Sequence, residues 1–122
     1  MHSLRAIRLL NRDLDVRLSP AAHTALAARS APLIVEMELY FSCLIRKRVR
    51  FLSAAHPGAF CASLDDRLTV CFRPVMTRHC ALSAAEGQPE LETFPIQRPE
   101  AFLPKWLAID FRRGTWSGEF SF

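Results

Sequence analysis

The chain has 122 residues, half of them apolar and 23% charged, with nine Phe and a formal net charge of +4. That length suits one domain of about 100–150 residues, and so apolar a composition excludes a disordered chain. No run approaches the roughly 18 uninterrupted apolar residues of a membrane helix, so no membrane partner is expected. The charge is uneven: residues 1–50 hold nine Lys/Arg against four acids, a surplus of five, and residues 51–122 hold seven against eight. A basic first half suits an anionic partner.

Met1 to Arg12 sets Leu4, Ile7 and Leu10 at helical spacing, with Arg5, Arg8 and Arg12 between them, which predicts a short helical arm. Its Leu and Ile form no separate apolar block and no small-residue cleavage site follows, so it does not read as a secretory signal. Leu14, Val16 and Leu18 then alternate with Asp13, Asp15 and Arg17, the period of a half-buried strand. Ser19-Pro20 is an N-cap with proline at the first helical position, and the alanine-rich stretch behind it predicts a helix from Pro20 to about Arg29.

From Leu33 to Leu52 the odd positions are Val35, Met37, Leu39, Phe41, Cys43, Ile45, Val49 and Phe51, interrupted only by Lys47. The even positions include Glu36, Glu38, Tyr40, Ser42, Arg46, Arg48 and Arg50. Such alternation with many Val, Ile and Phe residues favours a strand over a helix. Twenty residues would span about 65 Å, against about 35 Å for a compact chain of this length, and the segment lacks the Gly, Pro, Asn and Asp of a tight turn. A bulged, strongly twisted single strand is the expectation.

His56-Pro57-Gly58 and Ser63-Leu64-Asp65-Asp66 mark turns, and Leu68, Val70 and Phe72 alternate with Thr69, Cys71 and Arg73 in a further strand that Pro74 stops or bulges. Residues 84–104 hold four prolines and read as an extended surface connection. In the stretch 105–122, Leu107, Ile109 and Phe111 lead through Arg112-Arg113-Gly114 to Trp116, Gly118 and Phe120, a C-terminal hairpin. Together these elements predict an α+β fold over a single domain, 1–122. It comprises one mainly antiparallel, twisted sheet of about four to five strands with one main helix packed on one face.

Candidate chemistry is sparse. The cysteines, Cys43, Cys61, Cys71 and Cys80, include no C-x-x-C pair, which removes the strongest zinc and iron–sulfur signatures. Without an export signal they are expected as reduced, mostly packed thiols in a cytoplasmic protein. A metal or redox site drawn from Cys43, Cys71, His79 and Cys80 is the alternative. No nucleophile elbow and no glycine-rich phosphate loop occurs, so no catalytic residue and no cofactor is assigned, and an enzyme is the less favoured reading.

Two binding readings remain. If two copies of the Leu33 to Leu52 strand pair antiparallel about Ser42, Glu36 faces Arg48, Glu38 faces Arg46 and Tyr40 faces Leu44. Opposite charges across such a pair contribute about 0.2–1 kcal/mol each, and a two-fold axis doubles every pair. Association with a second copy or another protein, through Glu36, Glu38, Tyr40, Ser42, Arg46 and Arg48, is the leading expectation. The alternative is nucleic-acid binding, with Arg46, Arg48 and Arg50 tracking phosphates, Tyr40 stacking on a base, and Arg73 and Arg78 extending the patch.

Overall fold

The structure is a computed structural model that describes residues 3–41, 46–77, 91–93 and 98–122. Among the described residues nine strands and one α-helix run in the order β1 (Ser3–Leu9), β2 (Arg12–Leu18), α1 (Pro20–Ala27), β3 (Leu33–Phe41), β4 (Arg46–Leu52), β5 (Phe60–Asp65), β6 (Leu68–Thr77), β7 (Leu91–Thr93), β8 (Trp106–Arg112) and β9 (Thr115–Ser121). One sheet has the order β1-β2-β8-β9, and the other β4-β3-β6-β5 with β7 also paired to β6. In each sheet the central pair is parallel, β2 with β8 and β3 with β6, and the flanking pairs are antiparallel.

The expected single, mainly antiparallel sheet with a helix on its face is therefore overturned: the chain forms two mixed sheets. Period-two alternation reports that one face of a strand is buried and is silent on what buries it. Here Leu14, Val16, Leu18, Leu107 and Ile109 of the first sheet share one core with Val35, Met37, Leu39, Val70 and Phe72 of the second. At the margins β1 meets β5 and β4 meets β9. The helix is too small to cover a sheet. It has eight residues, buries only Ala22 and Leu26, and carries the chain from the first sheet to the second while packing mainly on β8. Its start is the expected one, with the Ser19 hydroxyl accepting from Ala22 N–H and proline in the first turn.

Residues 3–12 are a strand and a turn, not a helical arm. Ile7 and Leu9 point inward two apart, and Leu10 and Asn11 take the left-handed φ values of 52° and 61° that a two-residue hairpin turn requires. Arg113 and Gly114 do the same between β8 and β9, with φ of 51° and 76°, in the hairpin expected there. Leu33 to Leu52 is likewise not one strand: β3 and β4 pair antiparallel from Ile34 opposite Leu52 to Tyr40 opposite Arg46. Residues 42–45 between them, and with them Ser42 and Cys43, lie outside the described residues.

β6 runs through Pro74 without a break in its pairing to β3, because proline lacks only a donor and its alternate partners remain. β5 is a strand with no sequence expectation before the turn at Ser63 to Asp66; its last residue, Asp65, accepts from the backbone N–H groups of Arg67 and Leu68 and closes the hairpin into β6. Within the stretch expected as a surface connection, β7 pairs with β6, Phe102 meets Phe41 edge-on at 5.4 Å, and Leu103 enters the core. Among the described residues no helix is long and apolar enough to cross a membrane.

Candidate functional site

β3 is buried on both faces along its middle, and its buried residues that face away from the sandwich core are charged. Its odd positions fill the core, while Glu36 and Glu38 are 0% and 1% exposed. Cross-strand register builds a face around them: Arg50 stands opposite Glu36 and Arg48 opposite Glu38 on β4, and Cys71 and Arg73 are their partners on β6. Residues paired in register point to the same side of a sheet, so the face collects Glu36, Glu38, Arg48, Arg50, Arg73, Tyr40 and Arg46. Four arginines against two glutamates leave it a net +2.

The acids are matched within the chain. Arg73 Nε lies 3.8 Å from Glu36 Oε1 and its Nη1 3.8 Å from Glu38 Oε2, and Arg50 Nη1 is 3.7 Å from the same Glu38 oxygen. From the loop after β4, His56 Nδ1 reaches Glu36 Oε2 at 2.7 Å. A carboxylate oxygen accepts, which assigns the proton to Nδ1. Glu36 Oε1 and Glu38 Oε2 are buried with an ion-pair neighbour but no hydrogen-bond partner among the described residues. Burying two carboxylates is tolerable only because cations of the same face sit beside them.

Arg46 and Arg48 differ from their neighbours. Both are exposed, and neither guanidinium has an ion-pair partner among the described residues. Although Arg48 lies opposite Glu38 in register, that carboxylate is held by Arg50 and Arg73 from its two sides. Tyr40, half-buried, is the direct cross-strand partner of Arg46. Lys47, the break in the apolar alternation, turns to the other side of β4, where its ammonium donates to the Phe120 carbonyl at 3.1 Å and lies over the Phe120 ring.

The structure thus brings Tyr40, Arg46, Arg48 and Arg50 into one patch and sets Arg73 beneath it, 8% exposed and bound to both acids. Arg73 is a buried counter-ion, not a surface contact, because its β6 position is central in the sheet. Arg78 lies outside the described residues. Inside the β3–β4 hairpin Glu36 faces Arg50 and Glu38 faces Arg48, two positions out of the register expected between two copies.

Of the proposed metal or redox set, Cys43, His79 and Cys80 lie outside the described residues. Cys71 is not a free thiol: it forms a disulfide with Cys61, its direct neighbour across the β5–β6 pair. The expectation of reduced cysteines, drawn from the lack of an export signal, fails for this pair because the β5–β6 register sets the two residues face to face, and a chain's spacing carries no strand register. Among the described residues no group of three or more His, Cys, Asp or Glu is placed to hold a metal ion. In the sequence His56 marks a turn, and no local signal ties it to a carboxylate twenty positions earlier.

Elsewhere, a groove of about 470 Å³ between β2 and the approach to β8 is lined by Asp13, Asp15, Glu100, Lys105 and Phe122 among others. Its charges are mixed and it shares no residue with the basic face. Compared with protein-family models, curated proteins and solved structures, the chain finds no significant match.

Proposed function

We propose that the charged face of the second sheet binds the phosphate backbone of single-stranded nucleic acid, with Arg46 and Arg48 as the phosphate contacts and Tyr40 as a stacking surface. The observation that carries this reading is the division of labour among the arginines. Arg50 and Arg73 neutralise Glu36 and Glu38, while Arg46 and Arg48 stay exposed. Alternate positions on a strand stand about 6.6 Å apart, so the two cations form a short row that can follow an extended backbone, and every base offers a face to an aromatic ring. Two arginines whose backbone is held in a paired strand lose less freedom on binding than cations on a loop.

Fluorescence anisotropy with a labelled single-stranded oligonucleotide, repeated over a series of salt concentrations, tests the proposal. Each phosphate contact contributes about 0.7 to the slope of log affinity against log salt for a single strand. Arg46→Gln and Arg48→Gln are each expected to weaken binding and flatten that slope by about this amount. Tyr40→Ala should weaken binding with the slope unchanged. Absence of binding at low salt, or binding indifferent to salt, rejects the reading.

A further inference from the structure

The Cys61–Cys71 disulfide is unlike a structural staple. It joins residues that stand directly opposite each other, with Cα atoms 4.0 Å apart, on strands already held by ladder pairing and by the Asp65-capped turn. A cross-link ten residues apart in sequence restricts the unfolded chain less than one that closes a long loop. Its two sulfurs are also unequal: Cys61 is on the exposed side of edge strand β5, whereas Cys71 is 1% exposed on β6. Thiol exchange requires access to one sulfur and departure of the other, and only Cys61 offers that access.

Position gives the bond a consequence. Cys71 is the register partner of Glu36 on β3, and Glu36 is the carboxylate that holds His56. The segment from Leu52 to Phe60 carries His56 over the sheet and enters β5 one residue before Cys61. β5 is an edge strand, tied to β6 on one side and to β1 through the exposed Arg5–Asp65 ion pair. The link therefore fixes the near end of the segment that seats the imidazole on the buried charge cluster.

We propose that Cys61–Cys71 is a thiol–disulfide exchange site, attacked at Cys61 by a dithiol, and that opening it loosens the segment that places His56 on Glu36. One thiolate of the dithiol attacks Cys61 Sγ and forms a mixed disulfide. The Cys61–Cys71 bond breaks, and its electron pair leaves with Cys71 Sγ, which takes a proton. The second thiolate of the reagent then attacks its own sulfur in the mixed disulfide and releases Cys61. Two electrons pass to the protein, which ends with two thiols, and the dithiol ends as a disulfide.

The test treats the purified full chain with dithiothreitol in native buffer, followed by alkylation, peptide mapping and hydrogen exchange. Expected are Cys61 and Cys71 unreactive to iodoacetamide before reduction; after it Cys61 is alkylated in native buffer, and Cys71, 1% exposed, once the reduced chain is then denatured. Amide exchange across residues 53–62 should rise ~10-fold or more, as for a segment that opens locally, while β2, β3 and β8 keep their protection. In Cys71→Ser, a single small disulfide reagent should form its mixed disulfide at Cys61. The proposal is overturned if reduction needs denaturant, if both thiols are already free, or if reduction leaves exchange at 53–62 unchanged.

Discussion

His56 and Glu36 meet through Nδ1 and Oε2 at 2.7 Å, a contact between a loop and the middle of a fully buried strand position. The imidazole closes one side of a carboxylate whose other oxygen faces Arg73. His56→Ala removes one charge-assisted hydrogen bond from a partly exposed ring and is expected to lower stability by about 1–2 kcal/mol in urea unfolding. A change below ~0.5 kcal/mol would mean that water replaces the ring without loss.

Arg73 has the heavier role, since it faces both acids from within the sheet. Arg73→Met leaves two buried carboxylates short of their shared cation, and breaking such an arrangement costs about 3–5 kcal/mol. Adding Glu36→Gln and Glu38→Gln to Arg73→Met should recover part of that loss, because the uncompensated charge goes with it. Equal stability of the single and triple variants would show that packing, not charge, governs the site.

Ser19 serves the helix and a strand at once. Its oxygen accepts from Ala22 N–H at 3.1 Å and its O–H donates to Asp110 Oδ1 at 2.6 Å. That hydroxyl, then the Phe111 N–H, then Arg112 hold the Asp110 carboxyl below its usual range against the opposing pull of burial. Ser19→Ala should cost about 1 kcal/mol as a lost cap and raise the Asp110 pKa, read by NMR titration. The sign follows from linkage: a folded pKa below the unfolded one gives stability that is fully present above the unfolded value. It is lost as pH falls through the folded value, and Ser19→Ala should shrink this acid-side loss.

Gly118 and Gly114 separate two uses of glycine. A Cβ at Gly118 would lie 3.0 Å from Val49 Cγ1 and 3.1 Å from the Ala108 carbonyl oxygen, where β9 crosses β4. Gly118→Val should therefore cost about 1–3 kcal/mol through overpacking between the sheets. Gly114 has open space around it but a φ of 76°, so Gly114→Ala should cost about 1 kcal/mol, from backbone strain alone. Thermal unfolding of both variants checks the order.

What the sequence made legible was local. The Ser19-Pro20 start of the helix, the strand at Leu14 to Leu18 and the turn at Arg113-Gly114 rest on neighbours within a few residues, and all three are present. Partnership was not legible. Leu14 and Leu107 show the same alternation whether a helix or a second sheet covers them, and no pattern near Glu36 announces Arg73 or His56. The β3–β4 hairpin was missed because its connection lacks the usual turn residues. The arginine row from Arg46 to Arg50 was visible as a row, but which members stay exposed depends on β6, thirty-five positions beyond Glu38 for Arg73. Cys61 and Cys71 became a pair only once β5 and β6 had a register.

The parallel pairing of β2 with β8 also sets an order in time. Asp15 finds Trp106 ninety-one positions later, so a ribosome delivers every strand of the second sheet before the partner that completes the first. During that interval Leu14, Val16 and Leu18 lie along an open strand edge, and such an edge is where a nascent chain pairs with the wrong neighbour. Distant pairing of this kind also slows folding, since the loop must close before the contact rewards it. Translation that stalls before Trp106 would leave the helix without β8, the strand on which it mainly packs, and the half-built sandwich would depend on whatever shields β2 until synthesis resumes.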